Sequence, residues 1–202
     1  MLFLVRTIIL TATVLITFPA YAADHYEFDK AHTHIAFYVN HLGFSDMLGL
    51  FTLYDGTLQF DPKKPEESKL DVTLNPKGIH TSSPLLDNVL QGANFFNTEK
   101  FPTIHFVSTS IHVTGDHTGD VVGNVTMLGV TKEVTLHVRF NKADYQPVTN
   151  IYVAGFNADA TLKRSDFGMA YGIPMVGDEV RLEISTEGVN LDRKKAEGLK
   201  HG

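Results

Sequence analysis

Two histidines, His32 and His34, are the residues of this sequence best suited to metal chemistry. Residues two apart on a β-strand share a face, and imidazole nitrogens are common ligands of zinc and copper. The other histidines are scattered along the chain, and no His-Glu-x-x-His motif occurs. A metal site of His32, His34 and a third ligand is therefore the alternative. Hydrogen-bonded or solvated histidines are the simpler interpretation, so we assign no metal ligand.

Motifs for catalysis are sparse. Asp166-Phe167-Gly168 matches one kinase motif, but the rest of that signature is absent. Gly43-Phe44-Ser45-Asp46-Met47 lacks the second glycine of a nucleophile elbow. The chain has no cysteine, which excludes thiol chemistry and thiolate metal sites. The sequence favours a protein that is not an enzyme and needs no cofactor.

Arg164-Ser165-Asp166 is the most suggestive polar group, because it ends a predicted strand and precedes an apolar, glycine-rich segment that includes Tyr171. A guanidinium at a cavity mouth can hold a phosphate or a carbonyl group. An arginine and an aspartate can equally form an ion pair that only fixes a loop. Both interpretations stay open from the sequence.

Four phenylalanines, Phe95, Phe96, Phe101 and Phe106, lie within twelve residues. Adjacent phenylalanines break the alternation of a half-buried strand, and Pro102 interrupts any helix or central strand. This aromatic segment either fills a core or lines a cavity.

The composition sets the class of protein. Residues 1–22 combine one arginine, an apolar stretch and Ala20-Tyr21-Ala22, which predicts a cleaved signal peptide and export from the cytoplasm. The formal net charge of −6 disfavours nucleic acid as a partner. After cleavage no segment is long and apolar enough to be an integral membrane helix. Residues 23–191 are predicted to form one domain, followed by a polar tail at 192–202.

Eight alternating or β-branched runs predict an all-β protein, namely residues 35–40, 51–60, 70–74, 104–113, 121–128, 134–140, 151–162 and 180–185. Eight strands suffice to close a small barrel with room for side chains or one ligand. One short helix is predicted in the long connection before Ile104, with Ser83 as its cap, Pro84 in its first turn and Gly92 at its end. Leu85, Leu86, Val89 and Leu90 are expected to form its single apolar face.

Six segments, taken in order, resemble the YceI-like family of periplasmic, lipocalin-like proteins. They are residues 26–37, 49–56, 95–106, 123–132, 164–168 and 176–180. The resemblance spans nearly the whole chain after residue 22. It implies an eight-stranded antiparallel lipocalin-like barrel that holds an isoprenoid lipid or a similar amphiphile. The resemblance does not fix the ligand, and a quinone or a polyprenyl phosphate is the class we expect. The resemblance is also compatible with a homodimer.

The expected function is therefore periplasmic binding, transport or sequestration of such a lipid. The aromatic and methionine side chains expected to line or cover the lumen are Phe37, Phe51, Phe95, Phe96, Phe101, Phe106, Met127, Phe156 and Phe167. Arg164, Asp166 and Tyr171 are the expected polar contacts. A small hydrolase or isomerase that acts on a lipid bound in the lumen is a further hypothesis, and a barrel filled by its own side chains, with a purely structural role, is the simplest alternative.

Overall fold

The computed structural model describes residues 23–193, so the predicted signal peptide at 1–22 and residues 194–202 of the predicted tail lie outside it. The described chain is built mainly from strands. Their bounds are β1 Asp24–Phe28, β2 His34–His41, β3 Ser45–Phe51, β4 Tyr54–Phe60, β5 Lys69–Leu74, β6 Ile79–His80, β7 Ile104–Gly115, β8 Thr118–Met127, β9 Val130–Tyr145, β10 Tyr152–Lys163 and β11 Val176–Asn190. An α-helix, α1, spans Pro84–Gln91.

The strands close into an eight-stranded antiparallel barrel, which confirms the predicted fold class. Strand β1 pairs with β4 on one side and with β11 on the other, so the order β1-β4-β5-β7-β8-β9-β10-β11 returns to its start. The remaining strands β2, β3 and β6 continue β1, β4 and β5 beyond short bends. Strand β11 is long enough to pair with β2 through its first half and with β1 through its last residues.

Each predicted run is found as a strand, and most are longer than predicted. The largest difference is at residues 51–60, which are divided between β3 and β4 by Thr52 and Leu53. Pro76 lies between β5 and β6, beside the bend at Thr52 and Leu53, and has no backbone N–H to donate. Gly78 has no Cβ, which leaves space for the Leu53 side chain. These bends let one long strand turn along the barrel wall.

The antiparallel order places the connections at two ends of the barrel. The first, which we call the capped end, comprises residues 42–44, 81–103, 128–129 and 164–175. The second, which we call the charged end, comprises residues 61–68, 116–117 and 146–151. The main hydrophobic core extends from the capped end, and a smaller cluster of Tyr26, Phe60 and Ala154 lies toward the charged end.

Helix α1 belongs to residues 81–103, which we call the capping segment. Its Ser83 Oγ accepts a hydrogen bond from Leu86 N at 3.4 Å, and Pro84 stands in the first turn, as predicted. The predicted single apolar face is wrong, because Leu86 and Leu90 face the barrel interior while Leu85 and Val89 are exposed. A two-turn helix buries a narrow stripe, and successive residues are rotated away from one another around its axis. Within residues 23–193, no helix has the length and apolar character needed to cross a bilayer.

Candidate functional site

A cavity of about 540 Å³ occupies the barrel interior. Small-molecule sites are typically about 300–1,000 Å³ in volume, so the lumen has the size of a binding site. Its walls are contributed by inward-facing residues of the strands, mostly Val, Leu, Ile and Phe. Such a cavity favours an apolar molecule, because few polar groups are available to orient a polar one.

Strand periodicity produces this wall. On β11 the inward positions are Val180, Leu182 and Ile184, and the intervening residues Arg181 and Glu183 point to solvent. Strands β2, β5, β8 and β9 alternate in the same way. Because successive side chains point to opposite faces, one pattern creates both an apolar lumen and a polar exterior.

Two glycines keep aromatic rings close to the wall. A Cβ atom built on Gly49 would lie 2.1 Å from the ring of Phe37, its partner on the adjacent strand. A Cβ atom on Gly123 would lie 2.4 Å from the ring of Phe106. Each ring therefore occupies the space that a side chain on the facing glycine would need. A side chain there would displace the ring from its place on the wall.

The capping segment closes one end of the cavity with aromatic rings. Phe95 and Phe96 both line the cavity. Phe96 is buried and meets Phe51 edge to face with ring centroids 5.7 Å apart, and Phe51 is 5.4 Å from Phe37. Edge-to-face pairs of this kind add to the stabilisation from burial. Local hydrogen bonds hold the turn, including Phe96 N to Leu90 O at 2.9 Å.

The residues expected to contact ligand fall into two groups. Those that line the cavity are Phe37, Phe51, Phe95, Phe96, Phe106, Met127, Phe156 and Arg164. Phe101, Asp166, Phe167 and Tyr171 lie elsewhere: Phe101 packs beside Gly129, and Phe167 is buried in the core. Tyr171 is exposed and touches the ring of Phe95. Asp166 is exposed in a short 3-10 turn.

Arg164 is buried, and main-chain carbonyl oxygens accept its N–H groups. Its Nε donates to Gly177 O at 2.7 Å, and its Nη1 donates to Met169 O and Tyr171 O at 2.8 and 2.9 Å. Its Nη2 donates to Val176 O at 2.9 Å. Burial lowers the pKa of the guanidinium, although arginine keeps its charge in proteins. These contacts tie residues 169–177 to the barrel, and they leave little of the guanidinium for a ligand.

Several lining residues lie toward the charged end, where the sequence analysis named only Phe156. Phe60, Phe140 and Phe156 form an aromatic trio with centroids 5.0 to 5.4 Å apart. His117 stacks on Phe140 and also lines the cavity. Phe60 and Phe140 are each the last residue of a predicted run of alternating residues. Their place in that alternation was the sequence signal that could have identified them as lining residues.

The metal alternative also acquires a geometry. His32 Nδ1 lies 2.8 Å from Asp29 Oδ2, which raises the pKa of His32 and lowers that of Asp29. Glu187 completes a group whose potential ligand atoms all lie within 4.8 Å of one another. His34, the expected second ligand, is not in this group. The three side chains are partly or fully exposed, and exposed groups of this kind are common without a metal.

Comparisons with known proteins agree with this geometry. A model of the YceI-like domain matches residues 26–188. The chain is 38% identical over 180 residues to Protein YceI of Salmonella arizonae, covering 88% of this chain and 93% of that protein. The crystal structure of Burkholderia cenocepacia BcnA superposes with a TM-score of 0.72 at 21% identity, covering 79% of this chain and 98% of that one. A polyisoprenoid binding domain from Saccharophagus degradans superposes with a TM-score of 0.62 at 10% identity, covering 83% and 99%. The last two likenesses show the fold alone.

Proposed function

The chain belongs to the YceI-like domain family, and from that premise we propose that it binds an isoprenoid lipid or a similar amphiphile inside its barrel. The single observation that carries the proposal is the apolar cavity of about 540 Å³ that the barrel encloses. The polyisoprenoid binding domain of Saccharophagus degradans has the same fold, which supports a barrel of this shape as a container for such a lipid.

Apolar burial supplies enough free energy for such a complex. Transferring about ten methylene-sized carbons from water contributes roughly 8 kcal/mol. This corresponds to about micromolar affinity before the cost of ordering the lipid is subtracted. A prenyl tail offers more carbons than this, so the tail accounts for affinity and the head group for orientation.

The wall favours an uncharged head group. Of the residues between 23 and 193 that line the cavity, Arg164 is the one arginine or lysine, and four main-chain carbonyls engage its guanidinium. A phosphate would enter this wall without a free arginine or lysine to neutralise it, and burying an unpaired charge is costly. Within the expected classes, a quinone therefore fits better than a polyprenyl phosphate.

We further propose that the protein acts after export, as a carrier or a store for this lipid and not as an enzyme. The predicted signal peptide at residues 1–22 supports the location. An apolar lipid needs a shielded environment to cross an aqueous compartment, which the cavity offers.

Organic extraction of the purified protein, followed by mass spectrometry, tests the proposal. We expect a prenyl compound at up to one molecule per chain, and uptake of an added prenylquinone by protein stripped of lipid. Phe96→Ala should reduce retention, because Phe96 lines the cavity. Phe101→Ala is the matched control in the same segment, since its ring packs beside Gly129 instead. A protein that contains no lipid and takes up none would overturn the proposal.

A further inference from the structure

We propose that the capped end of the barrel docks on a lipid bilayer through three apolar tips, which gives the lipid a continuous apolar route into the cavity. This inference rests on the proposed function. The tips are the β2–β3 turn, the outer face of α1 and the segment 168–175. Their exposed side chains, which we call the apolar rim, are Leu42, Phe44, Leu85, Val89, Tyr171 and Met175.

The rim presents large apolar side chains to solvent. Phe44 is 88% exposed and Leu85 is 75% exposed. Single exposed apolar residues are ordinary, whereas several large ones gathered at one end mark an interaction site. Most of the large apolar side chains that are exposed in residues 23–193 lie at the capped end.

The rim adjoins residues that line the cavity. His41 and Val176 both line the cavity. His41 directly precedes Leu42 in the chain, and Val176 directly follows Met175. Leu42 N donates a hydrogen bond to Met175 O at 2.8 Å, which joins two of the tips. The ring of Tyr171 meets Phe95, a cavity residue, with centroids 5.6 Å apart. These contacts place apolar side chains of the rim next to the cavity wall, which is the route we propose for the lipid.

The tips carry almost no charge. Residues 42–44 and 168–175 contain no Asp, Glu, Lys or Arg, and residues 84–89 contain only Asp87. The carboxylate of Asp87 faces inward, where it accepts hydrogen bonds from the N–H and O–H of Thr81 at 2.6 and 2.7 Å. Its side chain is only 15% exposed. Charged groups are expelled from the bilayer interior, while aromatic rings are favoured at its interface, so these tips suit a membrane surface.

The charged end offers the opposite surface. Residues 61–69 contain three lysines, two glutamates and an aspartate. That end would have to desolvate several charges to enter a bilayer, which fixes the orientation we propose. A second copy of this chain seated on the rim would bury the same side chains, but it would also cover the route to the cavity. The bilayer is therefore the occupant that serves a lipid-binding barrel.

Single-tryptophan variants test the docking directly, because the chain contains no tryptophan. Phe44→Trp places the probe on the rim, and Val148→Trp is the matched control on an equally exposed apolar residue at the charged end. On addition of phosphatidylcholine vesicles, we expect a blue shift of the emission for Phe44→Trp and none for Val148→Trp. Equal shifts in the two variants, or no shift in either, would overturn the proposal.

Vesicle flotation gives a second measurement. The combined change Phe44→Ser, Leu85→Ser and Met175→Ser should lower the fraction bound to vesicles by about tenfold or more, because it removes the three most exposed side chains of the apolar rim. Val148→Ser should bind like the unchanged protein, and circular dichroism should show all variants folded. A blue shift of Phe44→Trp that grows with protein concentration without vesicles would assign the rim to a second copy and overturn bilayer docking.

Lipid extraction from the same samples separates this inference from the proposed function. Prenyl lipid in the barrel with no vesicle binding would overturn the docking and leave the proposed function standing. Vesicle binding through the rim with a barrel that never takes up lipid would support the docking surface and overturn the proposed function, along with the route we draw between them.

Discussion

The two ends of the barrel share the same strands and differ in what the connections between those strands carry. At the capped end, residues 81–103 and 164–175 place aromatic and aliphatic groups against the cavity and on the surface. At the charged end, residues 61–68 expose lysines and glutamates. A rigid scaffold commonly positions functional loops at one end, and on this difference we base our proposal that lipid enters at the capped end.

The charged end instead contributes to closing the barrel. Asn190 is fully buried, and its side chain donates to Asp24 Oδ2 at 2.8 Å, so that the ends of β1 and β11 are joined. Tyr26 packs beside Phe60 on the same closure. We therefore expect changes at this end to act on global stability, and changes at the capped end to act on lipid retention and local opening.

The largest expected effect compares the two ends directly. Tyr26→Ala should lower the free energy of unfolding by about 3–5 kcal/mol, because it empties a well-packed site. Phe96→Ala should cost about 1–3 kcal/mol, since its ring already borders a cavity and loses fewer contacts. Lipid retention should follow the reverse order. Denaturant titration and lipid extraction on both variants check this, and equal losses of lipid would break the comparison.

A buried arginine provides the next test at the capped end. Arg164→Met removes the donors for four main-chain carbonyls, and we expect a loss of about 2–4 kcal/mol. Hydrogen exchange should accelerate at the amides of Met169, Ile173 and Val176 and remain unchanged at the charged end. Arg181→Met is the control, because Arg181 lies over Tyr38 on the outer face. Unchanged hydrogen exchange in residues 169–176 would contradict the conclusion that Arg164 holds this segment against the barrel.

Wall glycines offer a smaller and more specific effect. Gly49→Ala should push the Phe37 ring toward the lumen, with a cost of about 1–3 kcal/mol. Lipid capacity should fall, because the displaced ring occupies cavity volume. Gly155→Ala, in the half of the barrel near the charged end, is the control, since the nearest atom to its Cβ would be 3.9 Å away. Equal lipid capacity in the two variants would show that the lumen tolerates the ring.

Sequence periodicity predicted the barrel well because alternation reports which face of a strand is buried. The runs at 70–74 and 180–185 fall within β5 and β11, with their apolar residues inside. Connections carry no such period, so the sequence does not distinguish Phe95, Phe96 and Phe101 from one another. The structure places the first two on the cavity and the third beside Gly129.

Side-chain partners were the least predictable part of the candidate site. Arg164 and Asp166 are close in sequence, yet they do not pair: Arg164 donates hydrogen bonds to carbonyls from residues 169–177. Asp178, from the next strand, accepts a hydrogen bond from the N–H of Ser165. A 3-10 turn sends neighbouring side chains in different directions, which the sequence does not reveal. The contribution of residues 116–118 to the cavity likewise depends on barrel closure, because only closure brings that turn over the lumen.

The two ends should also respond to opposite extremes of pH. Burial raises the pKa of Tyr26 to about 12 from an ordinary value near 10. Its stabilising contribution is therefore complete below pH 10 and is lost as the pH rises toward 12, because the unfolded chain ionises first. Tyr26→Phe should remove this alkaline loss, and absorbance of the phenolate measures the titration.

At the capped end the sign is reversed. Hydrogen bonds from Thr81 hold the pKa of Asp87 below its ordinary value. Its contribution is therefore present above the unfolded pKa, near 3.8, and is lost as the pH falls through the folded value. The effect should be the smallest of the series, because a single carboxylate with hydrogen bonds to one residue, Thr81, is involved. Hydrogen exchange across residues 81–91 between pH 5 and 3, compared with Asp87→Asn, measures it. If hydrogen exchange at the charged end accelerated at a higher pH than exchange in residues 81–91, the comparison would be reversed. The contact between Asp87 and Thr81 would then matter less for acid stability than the closure of β1 on β11.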